Sequence, residues 1–192
     1  GPVAYGNNTF VTISGTSSSA ASSTDGVTWT LRTTPLSSIG SSTLVFGNGK
    51  FVATANTNTT QAVYSTDGIT WTTTTMPAVD LWQSVAFGSN TFISVATSTS
   101  AASSTDGVTW TLRTLPVSST FQGATFGNGK FVAVAQYRSS AVYSTDGITW
   151  TATTISSNTQ ENWMSVAYGN GVFVATSGQN LTTPGSTTTA AS

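Results

Sequence analysis

One eight-residue segment recurs four times along this chain at nearly constant intervals. Ser-Thr-Asp-Gly-(Val/Ile)-Thr-Trp-Thr occurs at 23–30, 65–72, 104–111 and 144–151, and the intervals are 42, 39 and 40 residues. Self-similarity at a period of about 20 to 50 residues indicates a repeat architecture, in which each unit is one supersecondary element. The repeat therefore constrains the fold more than any other feature of the sequence.

A second block accompanies the first and defines the strands of each unit. It consists of an aromatic residue, a glycine and a Phe-centred apolar stretch, and its glycines are Gly6, Gly47, Gly88, Gly127 and Gly169. In the third unit, 82–87 and 91–96 are β-rich and flank Gly88-Ser89-Asn90, which predicts a hairpin. A second hairpin is expected around Asp106-Gly107, a dipeptide that favours a tight two-residue turn. Each unit is thus expected to contain four short antiparallel strands.

A four-stranded unit of about 40 residues is typical of a β-propeller blade. We therefore expect an all-β propeller of four-stranded antiparallel blades, with five blades and an incomplete last one. A β-solenoid is the alternative, but its coils are normally shorter and lack paired hairpin turns. The whole chain is expected to form one domain, with units at about 3–37, 38–77, 78–117, 118–156 and 157–192.

The composition excludes several classes of function. Charged residues make up 6% of the chain, and five Lys and Arg accompany six Asp and Glu without any basic cluster, so we expect no nucleic-acid partner. Cys and His are absent, which excludes disulfides, thiol nucleophiles, imidazole bases and nearly all zinc or copper sites. We expect no metal, no cofactor and, without a long apolar run, no membrane insertion.

The Ser-Thr-Asp-Gly-x-Thr-Trp segment resembles the Asp box, the bacterial neuraminidase repeat of sialidases, related glycoside hydrolases and many non-enzymatic β-propellers. The match covers four motifs and, through the flanking strands, nearly the whole chain. In that family the box is structural and lies on the side away from the ligand. The resemblance therefore implies structural roles for Ser23, Asp25, Gly26, Trp29, Ser65, Asp67, Gly68, Trp71, Ser104, Asp106, Gly107, Trp110, Ser144, Asp146, Gly147 and Trp150.

Few acidic residues remain for catalysis once the four motif aspartates are set aside. Only Asp80 and Glu161 are left, and they occupy matching points in the third and fifth units. A glycoside hydrolase needs two carboxyl groups about 5 to 10 Å apart, and an intervening unit separates these two. The arginine triad of a sialidase is not matched either, because Arg32 and Arg113 are equivalent repeat positions. We therefore expect no catalytic residues, with a glycoside hydrolase using Asp80 and Glu161 as the alternative.

Aromatic residues at one position of three units suggest a ligand site on the loop side of the propeller. Trp82, Phe121 and Trp163 precede the first strand in their units and would offer flat apolar surfaces to a sugar. The alternative is that they pack between blades, as large aromatic residues commonly do. The polar residues predicted to share the site are Asp80, Glu161, Gln83, Asn162, Tyr137 and Arg138.

From these observations we expect a non-enzymatic recognition domain that binds glycans or another surface ligand. Its expected partners are a glycan or surface receptor, or a second chain that associates through the incomplete fifth blade. Low charge and Ser/Thr/Asn richness resemble adhesins and phage tail proteins, so the expected location is extracellular, cell-surface or virion-associated. A structural or oligomerisation module of a larger surface or phage tail protein is the remaining alternative.

Overall fold

The computed structural model describes residues 1–40, 43–136, 140–155, 162–178 and 190–191. Its regular elements form five sheets, called blades 1 to 5. Blade 1 contains β1 (Val3–Gly6), β2 (Thr9–Ile13), β3 (Ser19–Ser23) and β4 (Thr30–Thr33). Blade 2 contains β5 (Leu44–Gly47), β6 (Lys50–Thr54), β7 (Thr59–Ser65) and β8 (Thr72–Asp80). Blade 3 contains β9 (Trp82–Gly88), β10 (Thr91–Ala96), β11 (Ser100–Ser104) and β12 (Thr111–Thr114).

The last two blades continue the same pattern. Blade 4 contains β13 (Thr120–Gly127), β14 (Lys130–Gln136), β15 (Ser140–Ser144) and β16 (Thr151–Thr154). Blade 5 contains β17 (Asn162–Gly169), β18 (Val172–Gly178) and β19 (Ala190–Ala191). Strands of each blade pair in chain order and antiparallel, four strands in blades 1 to 4 and three in the described part of blade 5. The expectation of an all-β fold with four-stranded antiparallel blades is confirmed. No helix among the described residues could cross a bilayer.

Two kinds of turn connect the strands on one side of the blades. Between the first and second strands, Asn48-Gly49 forms a tight two-residue turn in which both residues have positive φ, 45° and 73°. This is the geometry that fits the twist of a hairpin. The prediction of such a turn at Asp106-Gly107 was wrong, because β11 ends at Ser104 and β12 begins at Thr111. Six residues lie between them, and only the glycine of the pair has positive φ.

That longer connection, the Ser-Thr-Asp-Gly turn, is held by its own side chains. Asp106 Oδ1 accepts hydrogen bonds from the backbone N–H groups of Val108 and Thr109, at 2.8 and 2.7 Å. The Ser104 hydroxyl donates to the same carboxylate oxygen and accepts from Gly107 N, both at 2.9 Å. The same set of bonds occurs in the turns of Asp25, Asp67 and Asp146. Each of the four aspartates therefore organises the local backbone through Oδ1 of its carboxylate.

Neighbouring blades interlock through a glycine and an aromatic ring. In blades 1 to 4, a Cβ added to the last glycine of the first strand would overlap an aromatic ring of the following blade. The four pairs are Gly6 with Phe46, Gly47 with Phe87, Gly88 with Phe126 and Gly127 with Tyr168. Only a residue without a side chain leaves this space open, so each glycine is a seat for the next blade.

A second contact occurs at three internal interfaces, between blades 1 and 2, blades 2 and 3, and blades 3 and 4. Gly68, Gly107 and Gly147 each lie against a β-branched residue of the preceding blade's second strand, namely Val11, Val52 and Ile93. The tryptophans of the same turns pack on the preceding blade, so that Trp71, Trp110 and Trp150 are 7–8% exposed. Apolar clusters therefore run between the sheets, and the core of the protein is made of its blade interfaces.

Candidate functional site

The loop side, opposite the Ser-Thr-Asp-Gly turns, holds the one described carboxylate that is not part of such a turn. Asp80 ends β8, where the chain passes from blade 2 to blade 3. Its Oδ2 accepts a hydrogen bond from the Ser98 hydroxyl at 2.6 Å. Its Oδ1 accepts from Leu81 N at 2.8 Å and from the Thr97 hydroxyl at 3.3 Å. The carboxylate thus ties the β10–β11 loop to the connection between the blades.

These hydrogen bonds determine the charge of Asp80. Partial burial by itself would raise the pKa of the carboxyl group, but the donors on Ser98, Leu81, Ser100 and Thr97 outweigh it and lower the pKa. Donors that stabilise the charged form have this effect. Asp80 is therefore ionised at neutral pH and serves as an acceptor and a negative charge. A general acid would need the opposite shift.

An amide pair lies on the same side of blades 2 and 3. Asn56 Nδ2 donates to Gln83 Oε1 at 2.8 Å, which joins the β6–β7 loop to β9. The backbone reinforces this contact, because Asn56 N donates to Ile39 O at 2.8 Å and Trp82 N donates to Ala55 O at 3.3 Å. The loop platform, defined here as Asn56, Asp80, Gln83 and Ser98, is therefore built on backbone that neighbouring loops hold in place.

The three aromatic residues predicted to stack on a ligand have a different role in the structure. Trp82, Phe121 and Trp163 are 0% exposed and belong to the apolar clusters between blades. A fully buried ring presents no face to a ligand, so the predicted aromatic ring around a channel mouth is not formed. The alternative given by the sequence, packing between blades, matches their placement.

The remaining predicted site residues are spread over the chain. Gln83 is in the loop platform, and Asn162 begins β17 in blade 5. Tyr137, Arg138 and Glu161 lie outside the described residues. The pairing of Asp80 with Glu161 therefore lies outside the described residues. The lowered pKa of Asp80 also removes it as the acid of the glycoside hydrolase alternative.

Two equivalent clefts occur on the turn side, between blades 1 and 2 and between blades 3 and 4. They measure about 380 and 220 Å³ and are lined by Ser and Thr hydroxyls, one arginine and the turn aspartate of the next blade. Arg32 Nε donates to Ser22 Oγ at 3.0 Å, and Arg113 Nε donates to Ser103 Oγ at 2.9 Å. The turn aspartates Asp67 and Asp146 that line them accept the hydrogen bonds of their own turns through Oδ1.

Comparison with known proteins places this architecture in one class. No protein-family model and no curated protein matches the sequence. Among solved structures, virginiamycin B lyase from Staphylococcus aureus is similar with a TM-score of 0.77 and 16% identity over 87% of this chain. A streptogramin B lyase is similar with a TM-score of 0.79 and 11% identity over 91% of the chain. YCF48 bound to D1 peptide is similar with a TM-score of 0.65 and 14% identity over 92%.

The fold and these likenesses define the chain as a β-propeller protein. It spans 59–60% of the length of these three structures. The expectations of a non-enzymatic glycan-binding domain and of no enzymatic activity are contradicted, because the similar propellers include streptogramin B lyases, which are enzymes. At 11–16% identity the likeness extends to the fold alone. That propellers of this shape bind partners is shown by the peptide complex of YCF48.

Proposed function

We propose that this chain is a propeller of the Asp-box type that binds a peptide ligand with a basic group at its loop platform. The observation that carries the proposal is the position of Asp80, whose carboxylate is held ionised on the loop side by hydroxyl and backbone donors. The four turn aspartates lie on the opposite side, and Oδ1 of each accepts hydrogen bonds from the backbone of its own turn. An ionised carboxylate favours a cationic ligand group, through a charge-assisted hydrogen bond.

The amide pair of the loop platform favours a peptide. Asn56 and Gln83 use one donor and one acceptor on each other, and each side-chain amide carries a further donor and acceptor that match those of a peptide backbone. Two similar propellers support this choice of ligand, since one was solved with a D1 peptide and a catalytically inactive lyase variant was solved with quinupristin. The self-bonded Ser-Thr-Asp-Gly turns support the Asp-box assignment.

A matched pair of charge substitutions tests the proposal. Fluorescence anisotropy would be measured with labelled random octapeptides that contain one lysine, and with the same library containing norleucine instead. We expect Asp80→Asn to weaken binding of the lysine library about 10-fold, which corresponds to one charge-assisted hydrogen bond. Asp106→Asn makes the same charge change on the turn side and should leave binding unchanged.

Three results would contradict the proposal. They are equal binding of the two libraries, equal losses in Asp80→Asn and Asp106→Asn, and no loss in Gln83→Ala. Circular dichroism of each variant would establish that it is folded. Mass spectrometry of peptides recovered after incubation would show whether the bound ligand is also converted.

A further inference from the structure

The exposed large apolar side chains of the described residues lie mostly on the two end blades. Blade 1 exposes Val3, Tyr5, Trp29 and Leu31 by 58, 54, 40 and 73%, and blade 5 exposes Val172 and Val174 by 40 and 39%. Contiguous apolar surface of this kind marks an interaction site in a soluble protein. The position of these residues in the repeat shows what kind of surface each end presents.

Blade 1 presents the face that every other blade packs against its predecessor. We call it the leading face, defined by Val3, Tyr5 and Trp29. Tyr5 is the equivalent of Phe46, the ring seated on Gly6 at the first internal interface. Trp29 is 40% exposed, whereas the equivalent Trp110 is 7% exposed. A hollow of about 670 Å³ on this face is lined by Thr12, Ala21 and Leu31 among others.

Blade 5 presents the opposite face, which we call the trailing face, defined by Ser165, Gly169, Asn170 and Val174. Gly169 is equivalent to the four glycine seats, yet none of the residues that the structure describes lies within 4 Å of a Cβ added there. Val174 is 39% exposed, whereas the equivalent residues Val11, Val52 and Ile93 are 0% exposed beneath the turn glycine of the next blade. The trailing face therefore has an open seat and an uncovered apolar contact.

The residues that form polar contacts at the internal interfaces also have equivalents on the leading and trailing faces. At the interface of blades 1 and 2, Asn7 Nδ2 donates to Thr66 O at 3.1 Å. The equivalent pair at the ends is Asn170 and Thr24, and both are exposed. At the interface of blades 3 and 4, Ala124 N donates to Ser84 Oγ at 3.1 Å. The equivalent hydroxyl on the trailing face is Ser165, which is exposed.

We infer that the trailing face of one molecule binds the leading face of a second copy, head to tail, with Tyr5 of the second copy seated on Gly169 of the first. This interface repeats the aromatic seat of the four internal interfaces and the turn contact of three of them. It also repeats the polar pairs of Asn7 with Thr66 and of Ser84 with Ala124. Because the two faces differ, the contact is heterologous and each copy retains one free face. Association of this type continues into larger assemblies unless rotation closes a ring.

Complementary blocking variants test this geometry. Gly169→Leu fills the seat and leaves the leading face intact, while Tyr5→Arg removes the ring and leaves the trailing face intact. Size-exclusion chromatography with light scattering should give multimers for the wild type and monomers for each variant alone. An equimolar mixture of the two variants should give a one-to-one dimer, because one intact leading face then meets one intact trailing face.

The controls separate this contact from other causes of association. Val79→Arg adds the same charge at a residue of blade 2 that is 63% exposed, and it should associate like the wild type. A monomeric wild type at millimolar concentration, or a variant mixture that stays monomeric, would overturn the inference. Loss of association in Val79→Arg would also overturn it, because association would then depend on general apolar exposure. Circular dichroism of the three variants should match that of the wild type.

Discussion

The ring of Phe126 occupies the space in which a Cβ of Gly88 would lie. This contact joins blades 3 and 4 near the C-terminal ends of their first strands, β9 and β13. The same relationship occurs at three other interfaces, and its two halves stand apart at the ends of the chain, in Tyr5 and Gly169. An internal interface should therefore be destabilised as strongly by a side chain added at the glycine as by removal of the aromatic ring.

The glycine seat can be tested with one methyl group at two equivalent positions. Gly88→Ala places a Cβ inside the Phe126 ring position, and we expect a loss of about 2–3 kcal/mol in the free energy of unfolding, as for overpacked cores. Gly169→Ala meets no neighbour within 4 Å and should change stability by less than about 0.5 kcal/mol. Urea denaturation of dilute protein measures both. Similar losses at the two positions would argue against the seat.

The tryptophan of the Ser-Thr-Asp-Gly turn should contribute to stability only where a preceding blade covers it. Trp110 is 7% exposed and belongs to an apolar cluster with Val52 and Met76 of blade 2, the preceding blade. We expect Trp110→Ala to cost about 3–5 kcal/mol. Trp29 is 40% exposed, and Trp29→Ala should cost clearly less in dilute solution. Thermal unfolding followed by circular dichroism compares the two, and equal costs would contradict the role of the preceding blade.

The serine that opens each turn should stabilise the fold through its hydrogen bonds within the turn. Ser144 donates to Asp146 Oδ1 and accepts from Gly147 N, both at 2.9 Å, and it is 1% exposed. Ser144→Ala leaves a buried N–H without its acceptor, which should cost about 1–3 kcal/mol. Thr145→Ala removes an exposed hydroxyl from the next position and is the matched control. An equal effect of both substitutions in urea denaturation would refute this role.

The turn aspartates should make stability depend on acid pH. Burial alone would raise the pKa of Asp106, but backbone donors on Thr109 and Val108 and the Ser104 hydroxyl outweigh it and lower the pKa to about 2 from 3.8. A carboxyl group with a lowered pKa in the folded state stabilises the fold above its unfolded pKa. That stability should be retained above about pH 4 and lost as the pH falls toward about 2.

Asp106→Asn tests this contribution without changing the shape of the side chain. The urea midpoint of the wild type should fall between about pH 5 and about pH 2, and the variant should lose less over the same interval because it has one fewer titrating turn. The substitution Asp80→Asn provides a comparison on the loop side, where the pKa is also lowered. A midpoint that does not change with pH in the wild type would contradict the assignment.

The repeat allowed the fold to be predicted because it encodes local structure in every copy. Asn48-Gly49 and its equivalents specify tight hairpins, and the alternating apolar runs specify strands. The Asp106-Gly107 turn was misjudged for a local reason. Its backbone is organised by hydrogen bonds that N–H groups donate to side-chain oxygens, and a dipeptide preference contains no information on these.

The site was harder to predict because burial depends on the neighbouring blade. The sequence around Trp82 does not distinguish a residue at the mouth of a channel from a buried one. In the structure, blades 2 and 3 enclose Trp82 completely. The hydrogen bonds of Asp80 to Thr97 and Ser98 depend on a loop 17 or 18 residues away, which single-sequence patterns do not specify. The seating of Phe126 on Gly88 had a signal in the constant spacing of the glycines, which the prediction used only to count units.

The interface between blades has a consequence for how such a chain can change in length. Each internal blade carries a glycine seat for the following blade and an aromatic ring that fills the seat of the preceding blade. Neither feature depends on where in the chain the blade lies. Insertion or deletion of a whole unit would therefore restore the same contacts on either side of the junction. The number of blades encoded by such a gene can therefore change during evolution. Folding requires only that whole units are gained or lost.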